Sequence, residues 1–121
     1  MESNKRDGTV LNESFKHRVA KYLLARWLRK KGVAKREQKF GSGSFVFRPD
    51  VTTFTDGHVQ SFYEVVHKNE VDAMKLAKMQ YYCYLNNLDI LLHEVSADWI
   101  LNQVDEPEKI ESFTFDLSPK L

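Results

Sequence analysis

Two carboxylates, Asp50 and Glu64, stand on either side of a hairpin signal. Residues 47–67 read FRPDVTTFTDGHVQSFYEVVH, where two runs rich in aromatic and β-branched residues flank Asp56-Gly57, a dipeptide favoured in tight hairpin loops. Loop length decides what the two acids can do. A two-residue loop pairs Asp50 with Tyr63 and leaves the carboxylates diagonal across the ladder, whereas a three-residue loop pairs Asp50 with Glu64 on one face. Opposed like charges destabilise a ladder, so a pair held there needs a compensating cation. Mg²⁺, which takes one or two carboxylates and keeps several waters, is the candidate. The competing reading is two solvated charges on an ordinary hairpin.

Asp50 after Arg48-Pro49, with Glu64 fourteen residues later at the end of an apolar run, resembles the PD-(D/E)xK nuclease superfamily. Glu64-Val65-Val66-His67 followed by Asp72 and Lys75 is similar to a motif of one subgroup. Glu13-Ser14 leading into Lys16-His17-Arg18 and Ala20-Lys21 is similar to its opening helix. The likeness covers roughly residues 13–101. It implies a restriction-endonuclease-like α-β-β-β-α-β core and metal-dependent hydrolysis of DNA phosphodiesters. Asp50 and Glu64 would hold one or two Mg²⁺ ions, with Mn²⁺ as a substitute, the Val65 carbonyl as a further ligand and Glu13 as an added carboxylate. The metal would polarise the scissile phosphate and lower the pKa of the attacking water. Read from position alone, Glu13 is an acid near a helix N-terminus.

The sequence departs from that pattern at Val66, where the superfamily places a lysine that orients the nucleophile and steadies charge on the phosphate. Lys75 is the expected replacement, displaced onto the following helix; Lys68 in the loop, or no lysine, are the alternatives. Asp72 and Lys75 are three apart and share a helix face. For His67, three readings compete: a proton shuttle, a phosphate contact, and a structural histidine bonded to Asp72. His17, His58 and His93 have no zinc-ligand spacing. No Gly-x-Ser-x-Gly elbow is present, and Gly41-Ser42-Gly43-Ser44 lacks the ending of a nucleotide-binding loop and reads as a turn.

Several elements must position these residues. From residue 14 to 31, Phe15, Val19, Tyr22, Leu23 and Trp27 recur at three and four, predicting a helix with Gly32 at its C-cap. Residues 33–40 are weakly strand-like, 45–55 and 59–67 form the hairpin, and 70–86 read as a second helix. Residues 89–95 suit a buried strand, reached by a parallel β-α-β crossover. Ser96 caps a short helix to Leu101, and the acidic segment from residue 104 leads to FTFDL, an edge strand or docking tail. The expectation is a single α/β domain over 1–121, with a small mixed β-sheet flanked by helices and residues 1–12 frayed.

The net charge of +1 conceals an asymmetry. Ten Lys or Arg stand against one acid, Glu37, between residues 16 and 39, while from Phe62 onward five bases face eleven acids. Lys16, Arg18, Lys21, Arg26, Arg29, Lys30, Lys35 and Arg36 are therefore the candidate DNA-binding residues, on a basic helix face and the strand after it. Hydrophobic residues make up 42% of the chain and charged residues 29%, without a run long enough to cross a bilayer or the apolar core of a signal peptide. The lone Cys83 reads as a small buried hydrophobe and fits a cytoplasmic setting. Tyr81-Tyr82-x-Tyr84 wraps far around its helix, giving a candidate homodimer interface or plain core packing. Beside the nuclease stand two other readings: a nuclease-like domain that no longer cuts, and a subunit whose FTFDL tail adds a strand to a protein partner.

Overall fold

Ser14 opens the first helix by accepting a hydrogen bond from the His17 amide. The helix, α1, spans Phe15–Arg29 and ends on Lys30 in right-handed conformation, so Gly32 is not used as a left-handed cap. The computed structural model describes residues 13–67 and 72–119; residues 1–12 and Lys68 lie outside the described residues. The buried stripe of α1 is Ala20, Leu24, Ala25, Trp27 and Leu28, rotated from the expected one, and Phe15 and Tyr22 face solvent. The two alanines allow close approach to the sheet, which a count of large apolar residues overlooks.

The remaining elements are β1 (Val33–Arg36), a 3₁₀ turn (Gly43–Phe45), β2 (Val51–Thr55), β3 (His58–Val66), α2 (Ala73–Asn86), β4 (Leu91–Ser96), α3 (Ala97–Leu101) and β5 (Phe113–Asp116). Among the described residues they form one five-stranded sheet in sequence order. Neighbours are antiparallel except β3 and β4, which run parallel across the α2 crossover. This is a small mixed sheet flanked by helices. Strand β1 is shorter than residues 33–40 because Glu37 turns left-handed at φ 53. The strand expected from residue 45 begins only at Val51; before it, Phe40 and Phe47 bridge and stack their rings. FTFDL places β5 beside β4 of its own chain, as an edge strand and not a free tail.

Each face of the sheet has its own core. On one, α1 and α3 cover Val51, Val65 and Val95, with Trp27 edge-on to Trp99. On the other, α2 and the loop before β2 cover Phe62 and Leu92, with Phe40, Phe47, Met79 and Cys83. Burial pushes the Cys83 thiol up to about 11, as befits a packed hydrophobe. Alternation along β3 sends Val65 to the α1 face and Glu64 to the α2 face.

The hairpin answers the question of loop length in an unexpected way. Thr55 pairs with His58, so the loop has two residues, and Asp56 and Gly57 both have positive φ, the signature of a type I′ turn. That loop alone would set Asp50 against Tyr63. Between the Thr53–Ser61 and Phe54–Val59 pairs, however, the register slips, leaving Gln60 as an extra residue on β3. Val51 consequently faces Tyr63, and one step further Asp50 faces Glu64.

Candidate functional site

Asp50 and Glu64 are tied to each other's strands. Glu64 Oε2 accepts the Asp50 amide at 2.8 Å, and Asp50 Oδ2 accepts the Val65 amide at 2.8 Å. Both residues are buried, Glu64 to 7% exposure. Such crowding of two carboxylates needs positive charge nearby, and two helices supply it. From α2, Lys75 brings its ammonium to 2.7 Å from Glu64 Oε1. From α1, Lys21 Nζ lies 3.6 Å from Asp50 Oδ1, and His17 Nε2 lies 3.8 Å from Asp50 Oδ2.

The charges respond to this arrangement in different ways. Burial disfavours ionised Asp50, yet the His17 contact, the charges of Lys75 and Lys21 and the Val65 amide outweigh it and hold its pKa below the usual carboxylate range. For Glu64, burial and the Asp50 charge prevail over Lys75 and push its pKa up to about 7. His17 is raised by Asp50 against the opposing effect of burial. Lys21, only 3% exposed, is penalised by burial, but the bonds to Glu13 at 2.6 Å and Glu37 at 2.5 Å, with the Asp50 charge, hold it firmly protonated.

A cleft of about 470 Å³ opens beside the pair. Its walls include Glu13, Lys21, Arg48, Asp72, Lys75 and Lys78. No protein-family model matches the chain, and no curated protein does. A crystal structure of a protein called SSO0001 is similar over 86% of this chain and 51% of its own, at 14% identity and a TM-score of 0.46. The chain thus spans about half the length of that structure.

The sequence-predicted residues are distributed unevenly about the cleft. Asp50, Glu64 and Lys75 meet directly, whereas Val65, expected to offer its carbonyl, takes part through its amide, which donates to Asp50. Asp72 lines the cleft but spends its carboxylate on the Lys75 amide, capping α2 at 3.2 Å. Glu13 also lines the cleft, yet its carboxylate is bonded to Lys21. His67 does not join them: strand alternation turns it to the α3 side, where its ring nitrogen lies 4.0 Å from Asp98, so the bond to Asp72, one of its three readings, is not formed. Lys21 is likewise not on the solvent-facing basic surface, because Glu13 and Glu37 draw it inward. Lys16, Arg18, Arg26, Arg29, Lys30, Lys35 and Arg36 are exposed as expected. Part of that charge is met within the chain, where Lys30 pairs with Glu106 at 2.8 Å and Lys31 donates to the Glu108 carbonyl.

Sequence reasoning missed His17 and Lys21 as neighbours of Asp50, and Lys78 as a cleft residue. The signal was present: Glu13, His17 and Lys21 recur every four residues, the first just before the Ser14 cap and the other two on one face of α1. Among the described residues, no three His, Cys, Asp or Glu side chains converge as a ready metal cage. The donor chemistry nevertheless fits Mg²⁺, which is content with two carboxylates and water. Burial and the Asp50 charge together outweigh Lys75 at Glu64.

Proposed function

We propose that the protein is a metal-dependent nuclease of the PD-(D/E)xK type, hydrolysing DNA phosphodiester bonds in the cleft beside Asp50 and Glu64. One observation carries the reading: Lys75, from the helix after β3, contacts Glu64 at 2.7 Å, so a lysine stands at the carboxylate pair although Val66 occupies the strand position. Asp50 and Glu64 would hold Mg²⁺ or Mn²⁺, which supplies charge to the scissile phosphate and acidifies a bound water.

The chain's own groups do the rest. Asp50 stays ionised at neutral pH and provides a fixed anion. Glu64, poised near neutrality, gives up its proton when a cation arrives. Lys75 has three N–H donors, and with one on Glu64 the others suit a nucleophilic water and a phosphate oxygen. Arg48 and Lys78, on the cleft wall, favour a polyanion. The basic surface of α1 and β1 supports the same choice of partner. A cytoplasmic setting is the one that the lone Cys83 fits.

The test is cleavage of supercoiled plasmid DNA. Nicking is expected with Mg²⁺ or Mn²⁺ and not with EDTA, and Asp50→Ala and Glu64→Ala should each abolish it while leaving the circular dichroism spectrum unchanged. Undiminished cleavage by either variant would overturn the assignment.

A further inference from the structure

Helix α2 carries a second surface, continuous with the cleft, that the carboxylate site does not use. Tyr82 packs inward against Phe40 and Phe47 at 5.5 and 5.6 Å. Tyr81 and Tyr84 point out, 42% and 55% exposed, with rings 6.4 Å apart and within 21° of parallel. Phe45, 53% exposed, meets Tyr81 at 5.1 Å from the loop before β2. Phe45 and Tyr81 thus line a groove of about 400 Å³, and Tyr84 extends the exposed aromatic surface from Tyr81 along α2.

The loop is built to present Phe45. Gly41 has φ +80, and a Cβ there would stand 2.5 Å from the Phe45 carbonyl oxygen, so only glycine lets the chain close into the 3₁₀ turn. Lys78 joins the two surfaces. It lines both the groove and the carboxylate cleft, and donates to the Val46 carbonyl at 3.3 Å, bracing the loop against α2.

We infer that this aromatic surface is a stacking platform for unpaired bases, which would make the substrate of the proposed nuclease a single strand or a frayed end that runs over Phe45, Tyr81 and Tyr84 into the cleft. The inference rests on the nuclease reading for its chemistry. It chooses single strand over duplex because the cations of α2 in the described structure are only Lys75 and Lys78, at its cleft end. Tracking a duplex relies on many phosphate contacts, whereas exposed rings grip base faces, which are free only when a strand is unpaired. The lysines at one end and the rings beyond give the surface a direction, phosphate at the cleft and bases along the helix.

The experiment is fluorescence anisotropy with EDTA present, using a fluorescein-labelled oligothymidine of about 20 nucleotides and a duplex of equal length, long enough to span more than one site. Wild type should bind the single strand more tightly. Tyr81→Ala and Phe45→Ala should each weaken single-strand binding about tenfold, the range expected for one lost stacking partner, with duplex binding unchanged and Tyr81→Phe close to wild type. Both side chains are solvent-facing, so thermal melting should not move. Equal single-strand affinity in the Phe45→Ala, Tyr81→Ala double variant would overturn the platform. So would a dimer in wild-type sedimentation that becomes monomeric in the double variant with single-strand affinity intact, since the rings would then be an interface between copies. Nuclease and platform fail separately: plasmid nicking lost in Asp50→Ala but unaltered oligothymidine binding by the ring variants refutes only the platform. Ring-dependent binding without any metal-dependent cleavage refutes only the nuclease.

Discussion

Replacing Glu64 by glutamine should make the metal-free protein more stable at alkaline pH, although it breaks an ion pair. Glu64 titrates at about 7 in the fold against an ordinary value of 4.5, because burial and Asp50 oppose its charge. A group raised on folding contributes its stability below the unfolded pKa and loses it as pH climbs through the folded one. Between about pH 4.5 and 8 the wild-type protein therefore gives up about 3 kcal/mol at this residue, each tenfold change in proton affinity being worth about 1.4 kcal/mol. Glutamine keeps an oxygen for the Asp50 amide and cannot ionise. Urea unfolding with EDTA, at the two pH values, measures the effect: the free-energy difference between variant and wild type should move by about 3 kcal/mol in favour of the variant as pH rises. Mg²⁺ should then largely cancel that advantage at pH 8. Saturation at about 100 times Kd adds about 2.7 kcal/mol to a protein that binds it, and the variant lacks one of the two ligands proposed above. A difference independent of pH would refute the argument that Glu64 is an under-compensated buried anion.

Three further outcomes follow from the same geometry. Lys75→Ala should lower the rate of metal-dependent cleavage by about 10²–10³, the usual loss of a group that stabilises transition-state charge, read by single-turnover kinetics; an unchanged rate would transfer the role to Lys68 or to a mechanism without lysine. Lys21→Met should destabilise the fold by about 3 kcal/mol or more at neutral pH, since it strips a buried cation from Asp50, with the loss shrinking in acid as the carboxylates protonate. Gly41→Ala should lower the melting temperature, because of the positive φ and the Phe45 oxygen in its path, and should weaken the Phe45–Tyr81 contact.

The sequence made the hairpin legible because Asp-Gly in a two-residue loop has a single physical reason, two positive φ angles. It did not make the register legible. Gln60 is the extra residue, and nothing in a glutamine announces a bulge; its side chain accepts from the Thr55 hydroxyl at 2.9 Å, a contact known only once the strands are aligned. Asp50 and Glu64 thus come together by a route different from the three-residue loop that the pairing required. Lys75 was legible as a residue on the right helix but not as a contact, because its direction depends on how α2 docks. Lys21 was misread as surface charge by counting alone. The single acid in the basic stretch, Glu37, was the clue: with Glu13 it takes that lysine out of solvent. The small Ala20 and Ala25 hid the true packing face of α1 for a related reason, since periodicity weighs large side chains most.

The crossed bonds between the two strands have a spectroscopic consequence. The peptide N–H groups of Asp50 and Val65 each end on an oxygen of an ionisable pair, so their proton resonances report the electron density on those oxygens. In a ¹⁵N-edited spectrum, titration of Glu64 or the arrival of a cation would be seen as displacement of two backbone signals, with no substrate present. Of the two, the Asp50 resonance reads Glu64 and the Val65 resonance reads Asp50, and the separate protonation histories of two touching carboxylates could be followed one amide at a time.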